Sequence, residues 1–273
     1  MRAAHEHAEI ALAELWSAGA CGIEEREDRF IVYAPDERGA EVRAAALAEL
    51  GAEAVSAVAP VAERDWSESW KEGLRPLVVS PRLVVRSPSA SHLLAAGQRE
   101  VVIEPRQAFG TGAHASTALA LAAIDRVLAA RRVESALDVG CGSGVLALAA
   151  LRLGARRAVA FDLDPPAAHE ALDNAVRNGL GARLAVFRGT LAALGTEGFD
   201  LVVANLIRSE LAPLLSGLVE HLRAGGALIL SGLLRSEHAV LASELERLGA
   251  RVIDARAERD ERGDDWLALT ATR

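Results

Sequence analysis

Two cysteines and a single lysine in 273 residues set the first limits on this chain. Cys21 and Cys141 are the whole thiol complement, and Cys141 sits inside a glycine-rich turn, so a structural disulfide is not expected. A reducing compartment, the cytoplasm, is the simplest setting for such a chain. Lys71 is the only lysine and every other basic residue is Arg, which reads as compositional bias. No apolar run reaches the roughly 18–20 residues that a membrane span requires. The N-terminal stretch MRAAHEHAEIALAELW has acidic residues at helical spacing and no signal-peptide pattern. No cluster of His, Cys, Asp and Glu has the spacing of metal ligands, so no metal is expected.

A basic surface is also missing. The net charge is −8, where a nucleic-acid-binding face needs the opposite sign, so no direct nucleic-acid contact is expected. Residues 1–60 hold five Arg against twelve Asp and Glu, while the remainder is close to neutral. An acidic N-terminal module suits a basic protein partner; solubility alone would account for it equally well.

What is present is enough apolar sequence, 51% of the residues, to bury a sizeable core. The length suits a main domain with a smaller companion. From His5 to Ala18 apolar residues recur at three- and four-residue steps, which predicts a helix ending at Gly19. Cys21–Glu25 and Arg29–Ala34 read as short strands, Arg38–Leu50 as a second helix, and Val55–Val61 as a strand. This gives a small α+β unit over residues 1–62. A linker helix over 63–75 follows, with Trp66 and Trp70 four apart on one face, suited to packing or to ligand contact. Leu77–Val79 and Leu83–Val85 are β-like runs without an evident place.

The main domain, 76–273, turns on ALDVGCGSGVLALAA, residues 136–150. Apolar residues ending at Asp138 suit a buried strand, Gly140–Gly144 a tight turn, and Val145 onward a helix. That unit brings bare backbone against a nucleotide-like ligand, because glycine tolerates positive φ and leaves room for close approach. Downstream, strands alternate with helices: Arg157–Phe161, helix Pro165–Arg177 capped by Asp164, Leu184–Phe187, Phe199–Ala204, helix Glu210–Leu222, Ala227–Leu230, helix Glu237–Leu248, then Val252–Ala255 and Trp266–Thr270. The middle strands are apolar on both faces, which predicts a parallel sheet covered by helices on both sides. The last two strands suit an antiparallel pair at its end. Candidate ligand residues stand at strand ends: Gly140, Cys141, Gly142, Asp162, Thr190 and Asn205. Asp162 lies about 20 residues beyond the glycines, where a carboxylate can accept both ribose hydroxyls. The spacing GCGSG differs from the dinucleotide GxGxxG, and Asp138 before it would repel a pyrophosphate while accepting a hydrogen bond from an ammonium group. The expected cofactor is therefore S-adenosyl-L-methionine and not NAD.

A second stretch, VVIEPRQAFGTGAHAST (101–117), predicts a strand, a loop and a helix beginning near His114. Ser116 and Thr117 in its first turn can hold a carboxylate, or simply cap the helix. Together, DVGCGSG, FDLDP and VVANLI resemble the successive motifs of class I S-adenosylmethionine-dependent methyltransferases. IEPRQAFGTGAHAST, the linker DWSESWKEGLRP and the terminal WLALTATR are similar to the PrmA family, which methylates large-subunit ribosomal protein eleven. The resemblance covers about residues 63–273. It implies an α/β, Rossmann-like class I methyltransferase sheet, mostly parallel with an antiparallel last strand, and a small α+β N-terminal domain for substrate recognition. It further implies transfer of methyl groups to lysine or N-terminal amines of a basic ribosomal protein. By the same resemblance Thr117 lies at the cofactor's methionine end, Asp162 at its ribose, and Leu163 beside its adenine. Phe109, Thr111, Gly112 and His114 match the loop over the cofactor, and Asn205 the polar residue after the fourth strand. Asn205, with nearby backbone carbonyls, is expected to orient the incoming amine; no general base stands out, and His114 is the one histidine to consider. Arg106 departs from the family's Gly and Ser116 from its first Thr, and the first strand of the N-terminal domain is missing or shortened. A methyltransferase with a different protein or small-molecule substrate, or a cofactor-binding protein without catalysis, are the alternatives.

Overall fold

The computed structural model describes residues 14–26, 29–35, 38–50, 75–106, 114–260 and 263–273. The chain divides into two compact units, residues 1–64 and 65–273.

In the first unit, β1 (Gly22–Arg26) and β2 (Arg29–Tyr33) form an antiparallel hairpin with Gly22 opposite Tyr33 and Arg26 opposite Arg29. Helix α1 (Gly39–Leu50) follows. Leu15, Ala20 and Val42 are buried together, with Val32, Ala45 and Ala46 packed partly against them. The hairpin and α1 lie where the sequence periodicity puts them. Most of the first expected helix, the expected strand Val55–Val61 and the linker helix bearing Trp66 and Trp70 lie outside the described residues.

Among the described residues, the second unit holds two sheets. The β-like runs that had no evident place belong to a three-stranded sheet. In it, β3 (Leu77–Ser80) pairs antiparallel with β4 (Leu83–Arg86), and β4 pairs parallel with β5 (Arg99–Val102). Helix α2 (Ala115–Ala130) comes next, and then the main sheet begins at β6 (Ser135–Val139). It continues through α3 (Val145–Leu153), β7 (Arg157–Asp162), α4 (Pro165–Arg177), β8 (Leu184–Arg188) and β9 (Phe199–Asn205). The sheet is completed by β10 (Leu222–Leu234), α7 (His238–Arg247), β11 (Arg251–Arg259) and β12 (Asp265–Thr272).

The strand order is β11-β12-β10-β9-β6-β7-β8. Strands β6 to β10 pair parallel, and β12 runs antiparallel between β10 and β11. The order matches the class I methyltransferase sheet expected. From β6 the chain first moves outward to β7 and β8, then returns to β9 on the other side of β6. The switch point thus lies beyond the carboxyl ends of β6 and β9, where ligands bind in open α/β sheets. Alternation along β9 feeds two cores: Leu201 and Val203 pack with Leu121, Ile124 and Leu148 on one face. Val202 and Ala204 pack with Leu218 and Leu241 on the other.

One expected helix is interrupted. Over 208–222 the chain forms α5 (Arg208–Leu211), a 3-10 turn at Ala212–Leu214 and α6 (Leu215–Glu220), and Leu222 is already strand, opposite Phe199. Pro213 lacks the N–H that a continuous helix would use, so the turn tightens there. Asp164 does stand at the N-cap of α4, yet its side chain makes no cap bond.

Candidate functional site

The turn after β6 is a left-handed glycine turn held by backbone and side-chain hydrogen bonds. Gly140, Gly142 and Gly144 have φ of 68°, 50° and 80°. Gly140 and Cys141 both donate their N–H to the Phe161 carbonyl, each at 3.0 Å, which ties the turn to the end of β7. A side chain at Gly140 would need left-handed backbone, and its Cβ would fall 2.6 Å from Leu206 Cδ2. The residue after Asn205 therefore rests directly on the glycine turn. Asp162 is fixed from two sides: Oδ2 accepts the Gly142 N–H at 2.9 Å and Oδ1 the Asp164 N–H at 3.0 Å. Each carboxylate oxygen keeps further lone-pair capacity for a ligand hydroxyl.

Asp138 behaves differently from the expectation of a carboxylate open to an ammonium group. It is only 2% exposed, and Oδ2 accepts the Ala147 N–H at 2.9 Å in the first turn of α3. Oδ1 is buried with no hydrogen-bond partner. The carboxylate thus clamps β6 to the helix N-terminus, where negative charge is favoured. Burial nevertheless pushes its pKa up to about 7, with the Asp162 carboxylate adding to the rise and the Ala147 bond opposing it. Burial likewise raises the Cys141 thiol, assisted by the two nearby carboxylates, so the thiol stays protonated. A raised carboxyl pKa binds its proton more tightly in the folded state. The associated stability is full below the unfolded value near 4 and is lost as pH rises towards 7. Asp138→Asn keeps an oxygen for Ala147 and removes the titration. Relative to this variant, the wild type should lose on the order of a few kcal/mol of unfolding free energy between pH 4 and pH 8. Urea denaturation of both proteins across that range measures it; parallel profiles would refute the assignment.

The second half of the site lies where β9 and β10 meet the start of α2. Asn205 Nδ2 donates to Thr117 Oγ1 at 3.2 Å, while Asn205 Oδ1 is buried without a partner. Thr117 is completely buried. Ser231, opposite Asn205 in the ladder, donates its hydroxyl to the Ser116 carbonyl at 2.8 Å. His114 is the N-cap of α2: its Nδ1 accepts the Ser116 N–H at 3.3 Å and lies 2.8 Å from Ser116 Oγ. Its ring meets the Trp266 ring edge-on with centroids 4.6 Å apart. The first-turn hydroxyls of α2 are thus engaged within the protein. Next to Ser231, Gly232 has φ 80°, and a Cβ there would come within 2.7 Å of the Leu206 carbonyl oxygen and 3.0 Å of Asn205 Oδ1.

Phe109, Thr111 and Gly112 lie outside the described residues, but the segment before them is well anchored. Asn174 on α4 accepts the Glu104 N–H at 3.0 Å and donates to the Ser143 carbonyl of the glycine turn, also at 3.0 Å. Asn178 pairs with both the N–H and the carbonyl of Val102. Arg106 pairs with Asp173 at 2.7 Å. Among the described residues no side-chain-bearing residue has positive φ, so Arg106 stands in place of glycine without backbone strain. Leu163 is 66% exposed beside Asp162, and Thr190 is the exposed N-cap of the 3-10 turn after β8. The structure therefore brings Gly140 and Asn205 together through Leu206, with Thr117 bonded to Asn205 and Asp162 bonded to Gly142. Sequence reasoning missed Ser231, Gly232, Leu206 and Asn174. The Ser-Gly pair after the apolar run Ala227–Leu230 and a lone Asn on the buried face of α4 were the available signals.

Comparison with known proteins adds a family. The model described as ribosomal protein L11 methyltransferase (PrmA) matches residues 18–273. A relative from Sorangium cellulosum named ribosomal protein L11 methyltransferase is 38% identical over 197 residues, covering 67% of this chain and 62% of its own length. One of the same name from Deinococcus radiodurans is 43% identical over 185 residues, covering 67% and 63%. The chain thus spans under two thirds of the length of these relatives. Among solved structures, ribosomal protein L11 methylase from Lactobacillus delbrueckii subsp. bulgaricus aligns with a TM-score of 0.64 at 28% identity. That alignment covers 73% of this chain and 98% of the other.

Proposed function

Since the chain belongs to the ribosomal protein L11 methyltransferase (PrmA) family, we propose that it transfers methyl groups from S-adenosylmethionine to amines of ribosomal protein L11. The observation that carries this reading is the buried Asn205 Oδ1, without a partner among the described residues, on a side chain held by Thr117 and next to Leu206, which rests on Gly140. A buried acceptor left without a donor is costly unless a ligand completes it, and an amine N–H is such a donor.

The residues fit the cofactor. The left-handed backbone at Gly140, Gly142 and Gly144 makes the tight turn at the end of β6, and Asp162, oriented by two backbone N–H groups, serves the ribose hydroxyls. Exposed Leu163 supplies an apolar contact for the adenine. When bound, S-adenosylmethionine supplies an electrophilic methyl group on a sulfonium. The protein's share is alignment of an in-line displacement. The attacking amine must first be neutral, whereas an unperturbed lysine, with a pKa of about 10.4, is mostly charged. Asn205 Oδ1 and the neighbouring Leu206 carbonyl accept from the amine N–H groups and aim its lone pair. Thr117 holds Asn205 in place, and His114 with Ser116 sets the helix start that carries Thr117. The acidic N-terminal unit serves as the recognition domain for the basic ribosomal protein, and the cytoplasm is the proposed setting of the reaction.

Incubation with methyl-labelled S-adenosylmethionine and purified ribosomal protein L11 tests the reading. Label is expected in L11, and none when Asp162 is replaced by Ala. Label in other proteins of a ribosomal extract, with none in L11, would redirect the substrate. Cofactor binding without transfer to any protein would remove the catalytic claim.

A further inference from the structure

At the opposite end of the sheet from the glycine turn, the unit contains a cavity of about 440 Å³ between the start of β5 and the C-terminal ends of α3 and α4. Arg99, Arg152 and Arg183 converge on it, beside Leu94, Leu151 and Leu180. Each guanidinium is anchored to carbonyls: Arg99 to that of Arg152, Arg152 to that of Asn178 at 2.8 Å, and Arg183 to those of Ala155, Leu151 and Arg156. Among the described residues none of the three forms an ion pair. Glu100 also lines the cavity, but it is paired with Arg86 at 2.7 Å.

Capping explains why arginines stand at these helix ends, since cations are favoured there. It does not balance the charge. Two helix C-termini offer about half a negative charge each, against three guanidinium groups. Arg99 and Arg152 each donate to a single carbonyl, although a guanidinium carries five N–H groups. Arg152 Nε is in addition buried without a partner, which leaves this cation poorly solvated. Arg99 and Arg183 are exposed and hydrated, so what points to a ligand is their convergence with the buried Arg152 Nε; together these N–H groups match a dianion, and Arg favours planar, multidentate recognition of phosphate. The three leucines give the cavity an apolar wall, and its volume falls in the range of small-molecule sites.

We propose that this cavity binds a phosphate monoester carrying a compact apolar or planar body. The site is separate from the glycine turn, so its occupancy and methyl transfer are independent readouts. Titration calorimetry with phenyl phosphate should give saturable binding, about tenfold tighter than inorganic phosphate because the ring is sheltered by the leucines. Arg152→Gln should weaken phenyl phosphate by about tenfold through loss of a charge-assisted bond. Arg152 also caps α4, so Leu94→Glu provides a second variant that touches no cap. It places a negative charge at the half-exposed wall and should weaken binding at least as much, with methyl transfer unchanged in both variants. A 5′-phosphorylated RNA oligonucleotide that displaces phenyl phosphate would identify RNA ends as the source of the same group; failure to displace it would point to a free metabolite. Absence of saturable binding, or equal binding by the wild type and both variants, overturns the proposal.

Discussion

Asn205→Ala should lower methyl transfer to ribosomal protein L11 by about two orders of magnitude at saturating cofactor, with cofactor affinity changed only a few-fold. The expectation rests on a division of labour within the site. The glycine turn and Asp162 present their groups from β6 and β7, whereas Asn205 ends β9 and offers a buried oxygen with no partner among the described residues. Removing that oxygen withdraws an acceptor for the amine and leaves the turn's own hydrogen bonds, from Gly140 and Cys141 to the Phe161 carbonyl, untouched. Single-turnover methylation together with equilibrium titration of S-adenosylmethionine separates the two effects. An unchanged rate would discard the orienting role. A collapse of cofactor affinity at undiminished saturated rate would move Asn205 to cofactor binding alone.

Gly232→Ala should reproduce most of that loss without removing any polar atom. A methyl at this position would lie 2.7 Å from the Leu206 carbonyl oxygen and 3.0 Å from Asn205 Oδ1, both of them proposed acceptors for the amine. The neighbour is backbone, which cannot swing aside as a side-chain tip can. The φ of 80° adds the cost of left-handed backbone for a residue with a Cβ, roughly 1 kcal/mol. Methyl transfer should fall by about one to two orders of magnitude, with a stability loss of about 1–3 kcal/mol in urea denaturation. Leu230→Val in the same strand serves as the reference, since it costs stability without approaching Asn205. If both variants show the same rate per folded molecule as the wild type, the close approach of Gly232 to the acceptors has no part in the reaction.

These two residues show how the site divides between what can be read along the chain and what cannot. Gly140, Asp162 and Asn205 were visible because each ends an apolar run in an alternating βα pattern, and strand ends face the ligand crevice in any open α/β sheet. Gly232 and Ser231 also end an apolar run. Their importance comes from the parallel pairing of β10 with β9, which sets Ser231 opposite Asn205. Nothing local records that register. Asn174 is similar: on a helical wheel it is one polar residue on a buried face, and only packing reveals that it holds both Glu104 and the glycine turn.

Asp138 is the clearest case of chemistry reassigned by environment. As a letter before GCGSG it is a charge available to a ligand; enclosed at the end of β6, it is a clamp on Ala147 whose proton affinity is set by burial. Arg106, a departure from the family's Gly, is an ordinary residue paired with Asp173.

By itself the sequence determined the class of sheet, the strand-end residues and the family, because hydrophobic periodicity and glycine spacing are local properties of the chain. Tertiary structure alone decided which of those residues meet. It buried Thr117 behind Asn205, seated Leu206 on Gly140, and gathered three arginines from β5, α3 and the turn after α4 around one cavity. Distance, burial and charge balance arise only when segments far apart in the chain are packed together.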